Sequence, residues 1–201
     1  SEVCVVADES ADPMLVAIDL MAQAEHDPLA TCYLVTTSES YVDQVERWIE
    51  KHMQESTRAE ITTASLNDHG TVVVCPNMAT ALEAVNVIAP EHLELHFEGA
   101  MNKLGAVRNA GAIFVGEWTA EAVGDYVAGP NHTLPTGGTA RFSSPLSVDD
   151  FVKKSSVICY SAEALASDAD AVITIAHHEG LWAHAHSVEL RKEIIDGKAQ
   201  A

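Results

Sequence analysis

The chain has 201 residues, of which 47% are hydrophobic and 5% aromatic, and its 30 acidic residues against 11 basic ones give a formal charge of −19. A surface this acidic repels a phosphate backbone and an anionic bilayer, which argues against nucleic-acid and membrane-surface binding. No apolar run reaches the roughly 18 residues that a spanning helix requires, and no signal-peptide pattern opens the chain.

The first third alternates strand and helix patterns. Residues 3–7 (VCVVA) read as a buried strand. Asp12 and Pro13 then open a helix to about His26, with Asp12 as N-cap and an apolar stripe through Leu15, Ile18, Leu20 and Met21. Asp27-Pro28 stops it. Residues 31–36 (TCYLVT) form the next strand. Residues 38–53 form an amphipathic helix, with Ser40 and Asp43 spaced like a capping box. Residues 71–75 are a third strand, 79–88 a third helix, 93–97 a short strand and 111–116 (GAIFVG) a strand closed by glycine. The short apolar runs 72–75 and 112–115 read as buried strands. This alternation predicts a mainly parallel sheet in a layered α/β domain.

From residue 116 to 147 no period persists, and Gly, Pro, Asn and Thr dominate. So long an irregular stretch within a domain is usually functional or disordered, and Trp118, Tyr126, His132 and Phe142 favour order. After Ser147 the pattern turns mostly helical, with last helices over 161–177 and 180–198. The four cysteines (Cys4, Cys32, Cys75 and Cys159) are far apart and lie in apolar surroundings. They read as small buried hydrophobes in a reducing compartment, without disulfides or a thiolate metal site. Ser1 leads straight into a core strand, so further sequence is expected before it.

Several residues could carry chemistry. Gln23 and His26, three apart at a helix end, share one face and could bind a metal or simply cap the helix. Glu91 and His92 offer two titratable groups at one point, enough for two separate proton transfers, or else a solvated turn. Asp125 and His132 lie in the glycine-rich stretch, whose Gly124, Gly129, Gly137 and Gly138 allow close backbone approach to a ligand. It is not the nucleotide-binding G-x-G-x-x-G pattern. His177, His178, Glu179, His184 and His186 cluster near the end without zincin spacing. Together these residues describe a mixed nitrogen and oxygen metal site built from distant segments beside an acid–base pair, which suits zinc with an open position.

Four segments resemble, in this order, signature segments of histidinol dehydrogenase: QAEHDP (23–28), APEHLE (89–94), GDYVAGPNHTLPTGGTAR (124–141) and EGLWAHAHSVELR (179–191). The resemblance covers essentially the whole chain. Trp182 departs from it, standing where a smaller residue such as Thr is expected. The resemblance implies a zinc-dependent, two-step oxidation of L-histidinol to L-histidine through the aldehyde, with NAD as acceptor, in the cytoplasm. It places the zinc ligands on Gln23, His26, Asp125 and His184 and the proton-transfer pair on Glu91 and His92. The substrate contacts are Ser1, His132 and Glu179 together with the ligands and His92. It further implies an intertwined homodimer in which His184 reaches the partner's site. Residues 1–147 would be part of a Rossmann-like α/β domain, and 148–201 a small, mainly helical domain contributing to the dimer. The family chain is about twice as long. Its NAD-binding residues are expected in an amino-terminal half absent here, which also completes the sheet, so the chain alone is expected to be inactive. Two other readings are a related dehydrogenase of another small polar alcohol and a non-catalytic metal-binding or dimerisation module.

Overall fold

A computed structural model describes residues 1–197. It divides into two compact units, Ser1–Phe151 and Val152–Ala201. The helix expected over 180–198 ends within the described residues, and its last expected residue, Lys198, lies outside them.

The first unit is built on five parallel strands: β1 (Glu2–Ala7), β2 (Thr31–Thr36), β3 (Gly70–Val74), β4 (His92–His96) and β5 (Ala112–Val115). Their order in the sheet is β3-β2-β1-β4-β5. Strands joined in parallel need crossover connections. Helices α1 (Pro13–Ala24), α2 (Glu39–Met53), α3 (Ala59–His69) and α4 (Met78–Ile88) supply them. This is the layered α/β architecture that the alternation predicts.

Alternation along β1 explains why the run VCVVA is apolar throughout. Val3, Val5 and Ala7 face α1 and α2, packing with Val16, Leu20, Leu34 and Tyr41. Cys4 and Val6 enter the opposite core with Leu82, Val85, Leu93 and Leu95. A strand buried on both faces needs hydrophobes at both parities, and each such fully buried Val or Leu contributes about 1.5–3 kcal/mol. Burial also pushes the Cys32 thiol up to about 12, so it stays a protonated, inert core group.

Several local expectations are corrected. Helix α1 stops at Ala24, and Glu25 is its C-cap, so His26 lies beyond the helix rather than on a shared helical face with Gln23. Ser38, not Ser40, caps α2 by accepting from the Tyr41 N–H. Helix α3 carries no recognisable cap signal and falls in a stretch left unassigned by pattern. β3 and β5 are sheet edges, so Val72, Val74 and Ile113 are exposed rather than buried. The irregular stretch contains a short helix, α5 (Glu121–Tyr126), and a 3-10 turn at Thr139–Arg141. Cys159 is exposed, unlike Cys4, Cys32 and Cys75.

The second unit contains α6 (Ala162–His178) and α7 (Trp182–Ile195). Ser161 caps α6 by accepting from the Ala164 N–H at 3.2 Å. Gly180, with φ of 72°, makes the left-handed turn between the helices. Residues 152–161 are neither helix nor strand, contrary to the helical pattern expected after Ser147.

Candidate active site at the amino-terminal edge of the sheet

In a parallel sheet all strands begin at one edge, and here that edge gathers most of the singled-out residues. Ser1 immediately precedes β1 and its carbonyl accepts the Thr31 N–H, locking the start of β2 beside it. Helix α1 leaves the far end of β1 and returns, so Gln23, in its last turn, and His26, just past it, come back to the same edge. Glu91 and His92 open β4, where Val3 of β1 pairs with His92.

Helix α4 ends at Ala89, whose φ of 53° is left-handed, and Pro90 follows at once. A non-glycine residue there costs about 1 kcal/mol. The reversal swings the chain into Glu91-His92. Glu91 is then fixed from three sides: its Oε2 accepts the Glu2 N–H at 3.1 Å, its carbonyl accepts from Ala112, and Gly111 donates to Pro90 behind it. Burial raises the Glu91 carboxyl above its ordinary range, opposed by the nearby His92 ring and the Glu2 hydrogen bond.

His92 Nδ1 lies 3.1 Å from the Glu2 carbonyl oxygen. A carbonyl can only accept, so Nδ1 carries a hydrogen, and whenever the ring is neutral Nε2 is its lone-pair nitrogen. That Nε2 is buried and makes no hydrogen bond. It faces Asp125 Oδ1 at 3.9 Å, while Glu121 Oε1 lies 3.7 Å from Nδ1. Asp125 and Glu121 are four apart on α5, hence on one face. Phe114 closes the side of the ring at a centroid distance of 6.0 Å. Gly124 leaves room for Phe114, since a Cβ there would meet its ring at 2.5 Å. Burial, then the negative charges of Glu94, Asp125, Glu91 and Asp19, push Glu121 up to about 8.

His92, Glu121 and Asp125 thus converge closely enough to hold a cation. Gln23 adds an independent sign of a ligand: its side chain is 1% exposed, yet its Oε1 makes no hydrogen bond. An orphaned buried amide oxygen is costly, and coordination would satisfy it. Amide oxygen, imidazole and carboxylate are donors that zinc accepts, so by donor chemistry Gln23, His26 and Asp125 could each hold such an ion. His26 is exposed, and its carbonyl and that of Glu25 accept from Arg58 at 3.4 and 2.7 Å. His132 is exposed on the glycine-rich loop, which is tied to the edge where Gly137 N–H donates to the Glu2 carboxylate.

The remaining candidates, Glu179 and His184, are exposed in the second unit. Of the histidine cluster, His177 and His186 share one carboxylate: Glu189 lies 3.0 Å from His177 Nε2 and 3.1 Å from His186 Nδ1. Trp182 stacks on His186 at 4.9 Å.

Residues that pattern reading missed are Glu121 and the buried trio Asp19, Glu94 and His96. HLELH carries a signal for two of them. Leu93 and Leu95 enter the core, so His92, Glu94 and His96 share the other face of β4. Glu121 carries no such signal.

The fold and this edge define a class: a parallel α/β protein with a buried acid–base cluster where its strands begin. The family follows from comparison. The sequence model of histidinol dehydrogenase matches residues 1–192. A histidinol dehydrogenase of Caldanaerobacter subterraneus subsp. tengcongensis is 54% identical over 186 residues, which cover 92% of this chain and 43% of that relative. One from Bacillus subtilis is 49% identical over 195 residues, covering 97% and 46% respectively. The crystal structure of histidinol dehydrogenase from Elizabethkingia anophelis matches with a TM-score of 0.91 at 34% identity, over 98% of this chain and 45% of that one. The chain belongs to the histidinol dehydrogenase family. It spans a little under half the length of these relatives. Among the described residues, no helix is long and apolar enough to cross a membrane.

Proposed function

We propose that this chain forms the acid–base and metal-binding part of a zinc-dependent, NAD-linked enzyme that oxidises L-histidinol to L-histidine in two steps. The observation that carries the reading is the buried, unpartnered Nε2 of His92 facing Asp125, with Glu91 at the same strand start. Gln23, His26, Asp125 and His184 would hold zinc, His184 coming from the partner of a homodimer. Bound zinc supplies a Lewis-acidic anchor that orients the substrate's nitrogen donors. Orientation of this kind lowers a barrier by several kcal/mol.

In the first step His92 Nε2 is placed to take the alcohol proton, and bound NAD+ would supply the acceptor for the carbinol hydride. The carbon–oxygen single bond would become that of the aldehyde, leaving His92 protonated with its Nδ1 hydrogen held by the Glu2 carbonyl. In the second step Glu91 takes a proton from water as the water oxygen bonds to the aldehyde carbon. Loss of a second hydride, for which bound NAD+ would again be the acceptor, would give the carboxylic acid, whose remaining proton passes to solvent as the carboxylate forms. The raised carboxyl of Glu91 suits it to accept that proton. Ser1, His132 and Glu179 are assigned to the substrate's polar groups. No residue of this chain is assigned to NAD, whose site belongs to the part of the protein that the relatives carry beyond this span. A cytoplasmic location accompanies this reading. The exposed Val157, Ile158 and Tyr160 support burial against further protein, as in a dimer.

The test compares NADH formation by the full-length protein on histidinol and on a small polar alcohol without imidazole. Preference for histidinol is expected, and so is no turnover by the 201-residue chain alone. Equal or better rates on the other alcohol would transfer the reading to a related dehydrogenase.

A further inference from the structure

Three elements deliver the site residues to the sheet edge: α1 with Gln23, β4 with Glu91 and His92, and α5 with Asp125. A buried polar file joins all three behind the site. Glu94, on the same face of β4 as His92, is completely excluded from solvent. Its Oε2 pairs with His96 Nε2 at 3.1 Å, and Asp19 of α1 places Oδ2 3.8 Å from that same nitrogen. Its other oxygen, Oε1, accepts the backbone N–H of Glu121 at 2.9 Å.

Glu121 is the first residue of α5, and the N-cap, Ala120, has no side-chain acceptor. A helix of six residues does not persist by itself, and its first N–H groups need partners. A carboxylate there is doubly favourable, through the hydrogen bond to a charged acceptor and through the helix dipole. Here the carboxylate comes from the neighbouring strand. We propose that Glu94, held by His96 and Asp19, is a positioning residue that anchors α5 and so sets Asp125 and Glu121 against His92. The consequence for metal binding rests on Asp125 being a ligand; the anchoring itself does not.

The experiment uses the full-length protein and two readouts: hydrogen exchange of the α5 amides, and zinc affinity by chelator competition. Glu94→Leu is expected to speed α5 exchange at least about tenfold and to weaken zinc about 10–100-fold, the usual range for lost outer-shell support. Glu94→Gln keeps an amide oxygen for the Glu121 N–H and retains most of both properties. Adding Ala120→Ser to Glu94→Leu supplies a cap within α5 itself and restores its protection. His96→Asn, a milder change, removes the ring that pairs with Glu94 Oε2 and speeds α5 exchange several-fold. Unchanged α5 exchange in Glu94→Leu overturns the proposal whatever zinc does; if that variant does not fold, unchanged exchange in His96→Asn does so. A loosened α5 with undiminished zinc affinity upholds the anchor and refutes Asp125 as a ligand.

Discussion

Gly111→Ala probes the site through the backbone, without touching a titratable group. A Cβ at residue 111 would stand 2.5 Å from the Glu91 carbonyl oxygen and 3.2 Å from Pro135 Cδ. Ordinary contact begins at 3.4 Å, so one side must give by about 0.9 Å. The Glu91 carbonyl cannot yield freely, because it accepts the Ala112 N–H at 2.8 Å, and Gly111 itself donates to Pro90 at 2.9 Å. Residue 111 has no positive φ, so alanine brings no strain beyond this clash. Overpacking of this kind costs about 1–3 kcal/mol. A shift of about 1 Å at a catalytic group costs about a hundredfold in rate. The full-length Gly111→Ala protein is therefore expected to unfold at lower urea concentration and to lose about 10–100-fold in kcat. Gly105→Ala is the control, since a Cβ there meets nothing within 4 Å; its stability should stay within about 0.5 kcal/mol. A Gly111→Ala protein within twofold of the parent in kcat, and equally stable, would refute the placement of Glu91.

Glu91→Gln should impair the second oxidation more than the first, seen as slower NADH formation from added aldehyde than from histidinol; equal loss of both steps, or of neither, counts against its role. Burial, and then the charge of Glu94, push Asp19 from its ordinary 3.8 up to about 7. The folded protein holds that proton more tightly than the unfolded chain, so the stability it contributes is full below about pH 4 and falls as pH rises toward 7. In metal-free protein, urea titrations from pH 5 to 8 should show this decline, and Asp19→Asn should flatten it; an identical slope would show that Asp19 does not titrate in this window. Arg58→Ala removes both donors from the Glu25 and His26 carbonyls and should weaken zinc about tenfold in chelator competition. Unchanged affinity would mean that His26 holds its position without that clamp.

Legibility in the sequence followed how local each signal is. Residues 3–7 and 31–36 are apolar because both faces are covered, so the central strands were readable from composition alone. Val72 and Ile113 lie in equally apolar runs yet are exposed, because edge position depends on strand order and not on the run itself. Helix α5 was hidden since its N-terminal acceptor is Glu94, 27 residues away, and no local cap announces it. Glu91 and His92 were legible as a pair, and the resemblance carried Gln23, His26, Asp125 and His184 onto named positions. Glu121 was not legible: its weight comes from lying 3.7 Å from His92, a distance that only the folded sheet creates. The orphaned Oε1 of Gln23 is likewise a property of burial, invisible in the string QAEHDP.

The most direct test of the account is the stoichiometry of NADH produced per histidinol consumed by the full-length, zinc-loaded protein. Two paired proton acceptors, His92 and Glu91, serving two successive oxidations predict two NADH per histidinol, with histidine as the product and the yield lost on chelation and restored by zinc. One NADH per histidinol with release of the aldehyde, or a yield indifferent to zinc, would contradict it.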